Sequence, residues 1–324
     1  MAERPALPKT GPAQIHCHDV KKILITGISG GQGRLLAQKL IGQWDVIGVD
    51  RVPWVGAPDG ISIETLDLRK KRLRNIIRIE RPEAVVHLAF VRHFRSDPRV
   101  RHSVNVEGTQ HLLENCAEFG VKRVVVLSSS YVYGAQPDNP RYMQEDHPLN
   151  VSRTFPEIRD LTEVEGLVNT FLWRYPDIAT SILRPVNTLG YYVHSAIGRY
   201  FKLDYLPTVA GFDPMMQFIH EDDLCEAISA TLDHDLRGVF NVTGSGAVPL
   251  KRAIRAIGKS RVSLPESVAD LLIDRAFRWG VWEFPPAALE FLKYPCTISG
   301  RRFDEATGFK AKLSLEDIFA GVAR

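Results

Sequence analysis

The order of apolar and polar positions along the chain predicts short strands that alternate with amphipathic helices. The helical stretches lie at about 32–42, 98–119 and 155–174. The strand-like apolar runs lie at 21–27, 45–50, 61–68, 83–90, 122–130, 179–186 and 238–244. Apolar strands joined by helices are typical of a parallel sheet that is covered on both faces. The pattern therefore predicts an α/β fold with a doubly wound parallel sheet.

A glycine-rich turn separates the first strand from the first helix. It reads TGISGGQG and places Gly27, Gly30 and Gly33 in GxxGxxG spacing. Such a turn lets the backbone approach a pyrophosphate, which the helix N-terminus then holds. Asp50 ends the second strand about twenty residues further on, where a carboxylate accepts from the ribose and repels a 2′-phosphate. NAD is therefore predicted, and Arg51 leaves NADP possible because its guanidinium can pair with a 2′-phosphate.

The same pattern divides the chain. Residues 1–20 are a proline-containing leader, and residues 21–186 form the predicted Rossmann-type, dinucleotide-binding core. After residue 186 the regular alternation gives way to glycine-, proline- and tyrosine-containing loops and shorter helices. We therefore assign 187–324 mainly to a smaller, substrate-binding C-terminal lobe, with 217–244 returning to the core.

Composition excludes several other classes of protein. The chain has 324 residues, of which 44% are hydrophobic, so it can bury a sizeable core. A net charge of +3 is too small to indicate nucleic-acid binding, and no apolar run is long enough to span a membrane. The four cysteines lack CxxC spacing, and the run His16–Asp19 sits in the leader, where a loose tail is favoured over a metal site. We expect a cytoplasmic protein that binds no metal, membrane or nucleic acid.

Further short motifs follow the glycine turn in a fixed order. They are LDL at 66–68, HLA at 87–89, NVEGT at 105–109, SSSYVYG at 128–134, ILRPVNTLG at 182–190 and QFIHEDDL at 217–224. In this order they resemble the extended short-chain dehydrogenase/reductases, the NAD-dependent epimerase/dehydratase family, over about residues 21–310. The resemblance implies a nicotinamide cofactor and chemistry on a small molecule.

The resemblance also implies roles for individual residues. Asn105 matches the helix asparagine of the family's catalytic tetrad, Ser129 matches its catalytic hydroxyl, and Asn187 matches a position facing substrate. Asp67 and Leu68 would lie at the adenine, and Pro185 and Val186 near the nicotinamide. The full set implied for the cofactor is Gly27, Gly30, Gly31, Gln32, Gly33, Asp50, Arg51, Asp67, Leu68, Leu88, Ala89, Phe90, Arg92, Pro185 and Val186.

The helix predicted at 155–174 lacks the YxxxK pair that the family places there. Aligning the acidic residue that follows puts Glu157 in the tyrosine position and Leu161 in the lysine position; no tyrosine occurs at 143–174 and no lysine at 123–201. In the family the tyrosine exchanges a proton with substrate, and the lysine lowers its pKa and holds the nicotinamide ribose. An ordinary carboxyl titrates near pKa 4.3 and a phenol near 10, so a glutamate accepts a proton at neutral pH but has none to donate.

Two interpretations of the substituted pair follow. In the first, Glu157 closes a T-x-x-E capping box with Thr154, and Leu161 belongs to an apolar stripe with Val164 and Val168. The protein is then a dinucleotide-binding member with impaired or absent redox catalysis, suited to cofactor sensing or scaffolding. In the second, it is an active NAD(P)-dependent oxidoreductase or isomerase that uses Glu157 or Tyr131 as acid and base.

The substrate side carries weaker signals. Tyr131 and Tyr133 either reach a ligand or simply line the pocket. Nucleotide-sugar epimerases of the family usually carry an arginine before the FIH-like segment, whereas this chain has methionines at 215–216, which argues against such a substrate. The aromatic segment 271–286 either covers an apolar ligand pocket or forms the core of the lobe. The ligand itself stays unidentified.

Two surfaces suggest partners. The basic stretch 91–102 either binds a phosphorylated ligand or an acidic partner, or is a solvated loop and helix face. The family resemblance implies that Arg92 lies nearest the cofactor. The family commonly forms homodimers through the helices at 98–119 and 155–174, and we expect the same here. The apolar residues expected to supply that contact are Val100, Val104, Leu112, Phe171 and Leu172.

Overall fold

The computed structural model describes residues 21–91 and 93–322. The strands within these residues are β1 Lys22–Thr26, β2 Asp45–Asp50, β3 Ile61–Thr65, β4 Ala84–His87, β5 Arg123–Leu127, β6 Ala179–Pro185, β7 Asn187–Leu189, β8 Tyr205–Val209, β9 Met215–His220, β10 Gly238–Val242, β11 Ala247–Pro249 and β12 Ser260–Leu264.

The α-helices of the same residues are α1 Gly31–Leu40, α2 Lys71–Glu80, α3 Pro98–His102, α4 Gly108–Glu118, α5 Val151–Thr154, α6 Arg159–Arg174, α7 Ala196–Phe201, α8 Glu221–Asp233, α9 Leu250–Ala256, α10 Glu266–Arg278, α11 Glu290–Lys293, α12 Arg301–Thr307 and α13 Leu315–Val322. A π-helical turn covers Ser103–Glu107, and 3₁₀ turns cover Ser130–Tyr133, Pro156–Ile158 and Pro286–Leu289.

A seven-stranded parallel sheet in the order β10-β6-β5-β4-β1-β2-β3 forms the centre of the fold. Successive side chains of a strand point to opposite faces, so Ile23 and Ile25 of β1 pack into one apolar cluster and Leu24 into another. Both faces of the sheet are therefore buried, as continuous apolar runs require. The predicted doubly wound α/β fold is confirmed.

The strand order reverses at β1, which lies between β2 and β4. Open α/β sheets bind ligands at such a switch point, outside the carboxyl ends of the strands. The glycine turn after β1 and the segments after β4, β5 and β6 all leave the sheet at this edge. The fold thus gathers the motifs around one crevice.

The C-terminal part adds two small sheets. β7 pairs with β9, β9 pairs with β11, and β8 pairs with β12. Along the chain, β10 comes between β9 and β11, and it pairs with β6 at the edge of the large sheet. The chain therefore re-enters the core between β9 and β11. A separate apolar cluster, which includes Phe201, Phe218 and Phe319, holds this part together.

The start of the helix predicted at 155–174 is wrong. Pro156 disfavours helical backbone at the residue before it, and Phe155 has φ −141° and ψ 78°. Thr154 therefore ends α5, a 3₁₀ turn follows, and α6 begins at Arg159. The residue before α6 is Ile158, with no side-chain cap. The predicted capping box is absent because Thr154 is helical.

Four of the residues expected at a dimer contact are buried within the chain. Val104, Leu112, Phe171 and Leu172 are all buried, and Leu112 and Phe171 belong to the apolar cluster between the sheet and its helices. Val100, with 49% of its surface exposed, is the one member of that set open to solvent. Homodimerisation stays a prediction, and the four buried residues cannot carry it.

Among the described residues, no helix has the length and apolarity to cross a membrane. No group of three or more histidine, cysteine, aspartate or glutamate side chains among them is placed to hold a metal ion. The run His16–Asp19 and Arg92 lie outside the described residues.

Candidate functional site

A cleft of about 380 Å³ lies at the carboxyl edge of the large sheet. Most of the side chains that the sequence predicts for cofactor binding and catalysis line it together. They are Gly27, Gly30, Gly31, Gln32, Gly33, Leu88, Phe90, Asn105, Ser129, Tyr131, Glu157, Pro185, Val186 and Asn187. Leu161 also reaches the same wall.

The glycine turn leaves no room for a side chain at Gly27 or at Gly33. Gly27 has φ +75°, and a Cβ there would lie 2.8 Å from the backbone of Ala89. A Cβ at Gly33 would lie 2.3 Å from the carbonyl oxygen of Gly27, which packs helix α1 against the turn. Gly30 precedes α1 with extended backbone and provides no side-chain cap. The first N–H groups of α1 are therefore left for an anion.

A loop after β7 closes over this turn. A Cβ at Gly31 would lie 1.9 Å from the carbonyl oxygen of Tyr192. The buried carboxylate of Glu221 holds the loop by accepting from three backbone N–H groups, those of Tyr191, Tyr192 and Val193, at 2.7–3.2 Å. One side chain thus fixes the backbone against the helix N-terminus.

Gln32 is turned partly away from the cleft. Its Nε2 donates to the carbonyl oxygen of Glu221 and to the Cys225 sulfur of α8. Its Oε1 is buried and has no hydrogen-bond partner among the described residues.

The residues predicted for the adenosine end lie along the same sheet edge, outside the deep cleft. The Asp50 carboxylate accepts from the backbone N–H groups of Ser29 (3.0 Å) and Val52 (3.1 Å), which joins the two turns. The Arg69 guanidinium donates to Asp67 and lowers the pKa of that carboxyl to about 2. Three other predicted contacts, Arg51, Leu68 and Ala89, follow β2, β3 and β4.

Ser129 and Tyr131 follow β5 at the cleft. Ser129 Oγ accepts from the backbone N–H of Tyr131 at 3.3 Å. The Tyr131 hydroxyl donates to Asn187 Oδ1 at 2.6 Å, and its ring meets Phe291 edge-on. Burial raises the pKa of Tyr131 above its ordinary value. Tyr131 is therefore held as a neutral phenol whose proton is already engaged.

Asn105 lies in the π-helical turn that interrupts the predicted helix at 98–119. Its Oδ1 accepts from Val91 N at 2.8 Å, and its Nδ2 donates to Val91 O at 3.2 Å. Single π turns inside helices are frequent at functional sites. Here the turn directs the amide to the loop after β4, so Asn105 shapes the cleft wall.

Glu157 and Leu161 both line the cleft, from the 3₁₀ turn and the start of α6. Glu157 Oε2 is buried without a hydrogen-bond partner among the described residues. Leu161 is 9% exposed and packs in the core cluster with Phe155. The predicted core position of Leu161 is confirmed, whereas Glu157 faces the cleft and caps no helix.

Tyr133 does not lie in the cleft, and its predicted contact with substrate is corrected. The side chain is fully buried, its hydroxyl donates to Asn241 (2.8 Å), and it accepts from Arg184 (2.7 Å). Arg184 also donates to both carboxylate oxygens of Glu165, and Ser128 donates to the same carboxylate. Tyr133 belongs to this buried polar network beneath the site.

A second buried ion pair has no signal in the sequence. Arg101 Nε donates to Asp160 Oδ2 at 3.1 Å, and both buried side chains line the cleft beside Leu161. Arg101 lies in the basic stretch 91–102, where a solvated face was one interpretation. That interpretation is wrong for Arg101, because its partner comes from α6.

The model of the NAD dependent epimerase/dehydratase family matches residues 23–243. An uncharacterized protein of Mycobacterium tuberculosis is 32% identical over 266 residues, covering 76% of this chain and 68% of its own. A 3-diazoavenalumate denitrifying reductase of a Streptomyces species is 27% identical, over 70% of this chain and 77% of its own.

A solved structure shows the same fold. It is that of UDP-glucuronic acid 4-epimerase from Bacillus cereus in complex with UDP-glucuronic acid and NAD. Its TM-score is 0.74 with 19% sequence identity, over 93% of this chain and 98% of that chain. At this identity the likeness speaks for fold alone, while the family match spans most of the sheet. The chain belongs to the NAD dependent epimerase/dehydratase family.

Proposed function

We propose that this protein binds NAD(H) in the cleft and works without the proton relay that its family places there. The observation that carries the proposal is the pair Glu157 and Leu161, a carboxylate and an aliphatic side chain on the cleft wall. Redox catalysis through a phenol and a lysine is then impaired or absent. A cofactor-sensing or scaffolding role, with NAD(H) as the signal, is the function best supported.

The cleft fits a dinucleotide in this structure. Gly27, Gly30, Gly31 and Gly33 line the cleft without side chains, and α1 begins there without a side-chain cap. The glycine turn would hold the pyrophosphate, and Pro185, Val186 and Leu88 would line the nicotinamide end. Asp50 would accept from the adenosine ribose. NAD supplies hydride-transfer chemistry when it is bound.

The chain's own residues limit that chemistry. Leu161 offers no polar contact to a ribose and no cation. Tyr131 already donates its proton to Asn187, and burial raises its pKa, so it is poorly suited to replace the missing phenol. Ser129 keeps its place after β5. The site can bind and orient a ligand, but it lacks the usual donor and acceptor of a proton.

The first test is titration of the full chain with NAD(H) and NADP(H) by calorimetry. We expect binding, with NAD(H) tighter because Asp50 repels a 2′-phosphate. Gly30→Asp should weaken NAD(H) binding at least about 100-fold, since two like charges about 4 Å apart repel by roughly 4 kcal/mol near a protein surface. Aspartate is a favourable residue before a helix, so this variant should stay folded.

Gly30→Asn is the matched control, because it has the same shape without the charge. It should bind NAD(H) more tightly than Gly30→Asp. Tighter binding of NADP(H) by the wild type would reverse the cofactor preference. If neither NAD(H) nor NADP(H) bound, the proposed function would be contradicted.

A second candidate function uses Glu157 as the base of an active oxidoreductase or isomerase. The observation in its favour is the Glu157 carboxylate, whose Oε2 is buried at the cleft with no partner among the described residues. A carboxylate that caps a helix would have such a partner. Glu157 is thus free to accept a proton from a bound ligand.

The two candidates differ in the expected behaviour of Glu157→Gln. If NAD(H) binding is the whole function, the wild type should not change nicotinamide absorbance with small alcohols or ketones, and Glu157→Gln should behave alike. If Glu157 is a working base, the wild type turns over and Glu157→Gln loses about 10²–10⁴ in rate while keeping its NAD(H) affinity. The latter result would replace the first proposal.

A further inference from the structure

A second cavity adjoins the cleft and is built almost wholly from apolar side chains. Its lining residues are Phe94, Tyr131, Phe155, Ala196, Ile197, Tyr200, Met216, Ile273, Trp282, Phe284, Pro285, Ala288, Leu289, Phe291 and Leu292. We call it the aromatic pocket. Phe94, Tyr131 and Ala196 line the cleft as well, so the two spaces share a wall.

We propose that the aromatic pocket receives one uncharged ring of the ligand and that Trp282 donates a hydrogen bond to an oxygen on that ring. This inference names a ligand class for the proposed NAD(H) site and rests on that function. The ligand is a single-ring aromatic molecule whose other end lies in the cleft between Ser129 and Glu157. It is not a sugar joined to a nucleoside diphosphate.

The ring contacts of the pocket favour an aromatic occupant. Phe94 stacks on Phe155 at 5.3 Å between centroids, and Trp282 meets Phe284 edge-on at 5.4 Å. Phe291 contacts both Tyr131 and Phe155. Aromatic side chains pair best in offset or edge-to-face arrangements, so a further ring gains the same contacts here.

The polarity of the pocket excludes a charged group. None of the described residues in its wall carries a charge. The hydroxyl of Tyr200 donates to Pro207 O, and that of Tyr131 donates to Asn187. Arg199 lines the neighbouring cleft, but its Nε is paired with Glu283 at 2.9 Å. A diphosphate that left water for this wall would lose hydration without gaining a partner.

One polar atom of the wall lacks a partner. Trp282 Nε1 is buried with no hydrogen-bond acceptor among the described residues. A buried indole N–H normally finds an acceptor, and a buried donor without one is costly. Trp282 only donates, so its missing partner is a hydrogen-bond acceptor, which an oxygen on the ring would supply.

The size of the pocket limits the group that enters it. The enclosed space is about 60 Å³, less than the roughly 150 Å³ of an apolar cavity that holds benzene. Phe94 and Trp282 are only partly buried, so the wall on their side can give way. A ring therefore enters only when Phe94 or Trp282 moves outward, so we expect no more than one ring to enter and the rest of the ligand to lie in the cleft.

The test uses two probes of the same shape, anisole and ethylbenzene, which differ by an ether oxygen in place of a methylene. Ligand-observed NMR titration of the full chain without nucleotide should give millimolar or tighter binding of both. Trp282→Phe should weaken anisole binding by roughly three- to tenfold and leave ethylbenzene unchanged, because only anisole accepts the N–H.

A filled pocket gives the matched comparison. Ala288→Leu places a larger side chain in the pocket and should abolish binding of both probes. Ala287→Leu changes its neighbour in the same 3₁₀ turn, which does not line the pocket, and should bind both probes as the wild type does. Each variant is checked for folding by its circular dichroism and thermal midpoint.

The outcomes separate this inference from the proposed function. No binding of either probe, equal binding by Ala288→Leu and wild type, or tighter binding of UDP-glucose than of anisole would each overturn the aromatic ligand. An equal loss of both probes in Trp282→Phe would overturn the hydrogen bond. The same variants are also titrated with NAD(H), which is a separate measurement. If NAD(H) did not bind, the proposed function would be wrong, but binding of the two probes to the pocket could still be measured.

Discussion

Glu165→Ala should lower the free energy of unfolding by about 3–5 kcal/mol, a large share of what holds a domain together. The Glu165 carboxylate is 1% exposed and accepts hydrogen bonds from Nε and Nη2 of Arg184, whose side chain is 3% exposed. Ser128 donates to the same carboxylate at 2.5 Å. Removing it leaves the Arg184 charge buried without an anion, beneath the segment that carries Ser129. Urea unfolding followed by circular dichroism measures the change.

The control for this effect is an ion pair on the surface. Arg301 and Glu305 lie one turn apart on α12 with side chains 81% and 62% exposed. Glu305→Ala should change stability by less than about 0.5 kcal/mol. Similar small losses in both variants would show that the buried network contributes little. Glu165→Gln should lie between wild type and Glu165→Ala, because the amide keeps one accepting oxygen but loses the second oxygen and the charge.

Glu157→Tyr combined with Leu161→Lys should create NAD-linked turnover on small alcohols or ketones and tighten NAD(H) binding. Both positions line the cleft with Ser129 and Asn105, so only the proton relay has to be supplied. Acid–base assistance is worth about 10²–10⁴ in rate, which sets the expected gain. Neither single change should suffice, because the phenol needs the cation that lowers its pKa.

Stability should fall in the double variant by about 1 kcal/mol or more, since a lysine enters the apolar environment of Leu161. Replacing Glu157 should add little to this loss because it caps no helix. Nicotinamide absorbance and calorimetry on wild type, both single variants and the double variant make the comparison. A double variant that binds NAD(H) no better than wild type and stays inactive would mean that the cleft lacks more than two residues.

The fold was predictable because its signals are local. Apolar strands, amphipathic helices and the glycine turn are each read within about ten to twenty residues. The break before α6 also had a local signal, since Pro156 restricts Phe155, but the capping pattern around Thr154 competed with it. The π turn at 103–107 had no such local signal, and the hydrogen bonds that Asn105 makes within it go to Val91 in the loop after β4.

The parts of the site that were missed depend on long-range contacts. Tyr133 lies in the same short segment as Tyr131, and nothing local shows that its hydroxyl is turned toward Arg184 and Asn241. In the sequence Arg101 cannot be distinguished from its exposed neighbours, because its partner Asp160 lies on α6 and the two meet only in the folded structure. The aromatic pocket is one of two interpretations of the segment 271–286, and its wall around Trp282 is completed by residues from five distant parts of the chain.

The loop held by Glu221 contacts both the nucleotide-binding turn and the aromatic pocket. Its backbone at Tyr192 lies against Gly31 of the nucleotide turn, and the chain then runs directly into Ala196 and Ile197 of the aromatic pocket. Any shift of this loop on entry of a nucleotide therefore also moves a wall of the pocket. Such coupling is reciprocal. If the nucleotide changes the affinity for the second ligand by some factor, the second ligand changes the affinity for the nucleotide by the same factor. Binding of a ligand in the aromatic pocket would then change the affinity of the protein for NAD(H).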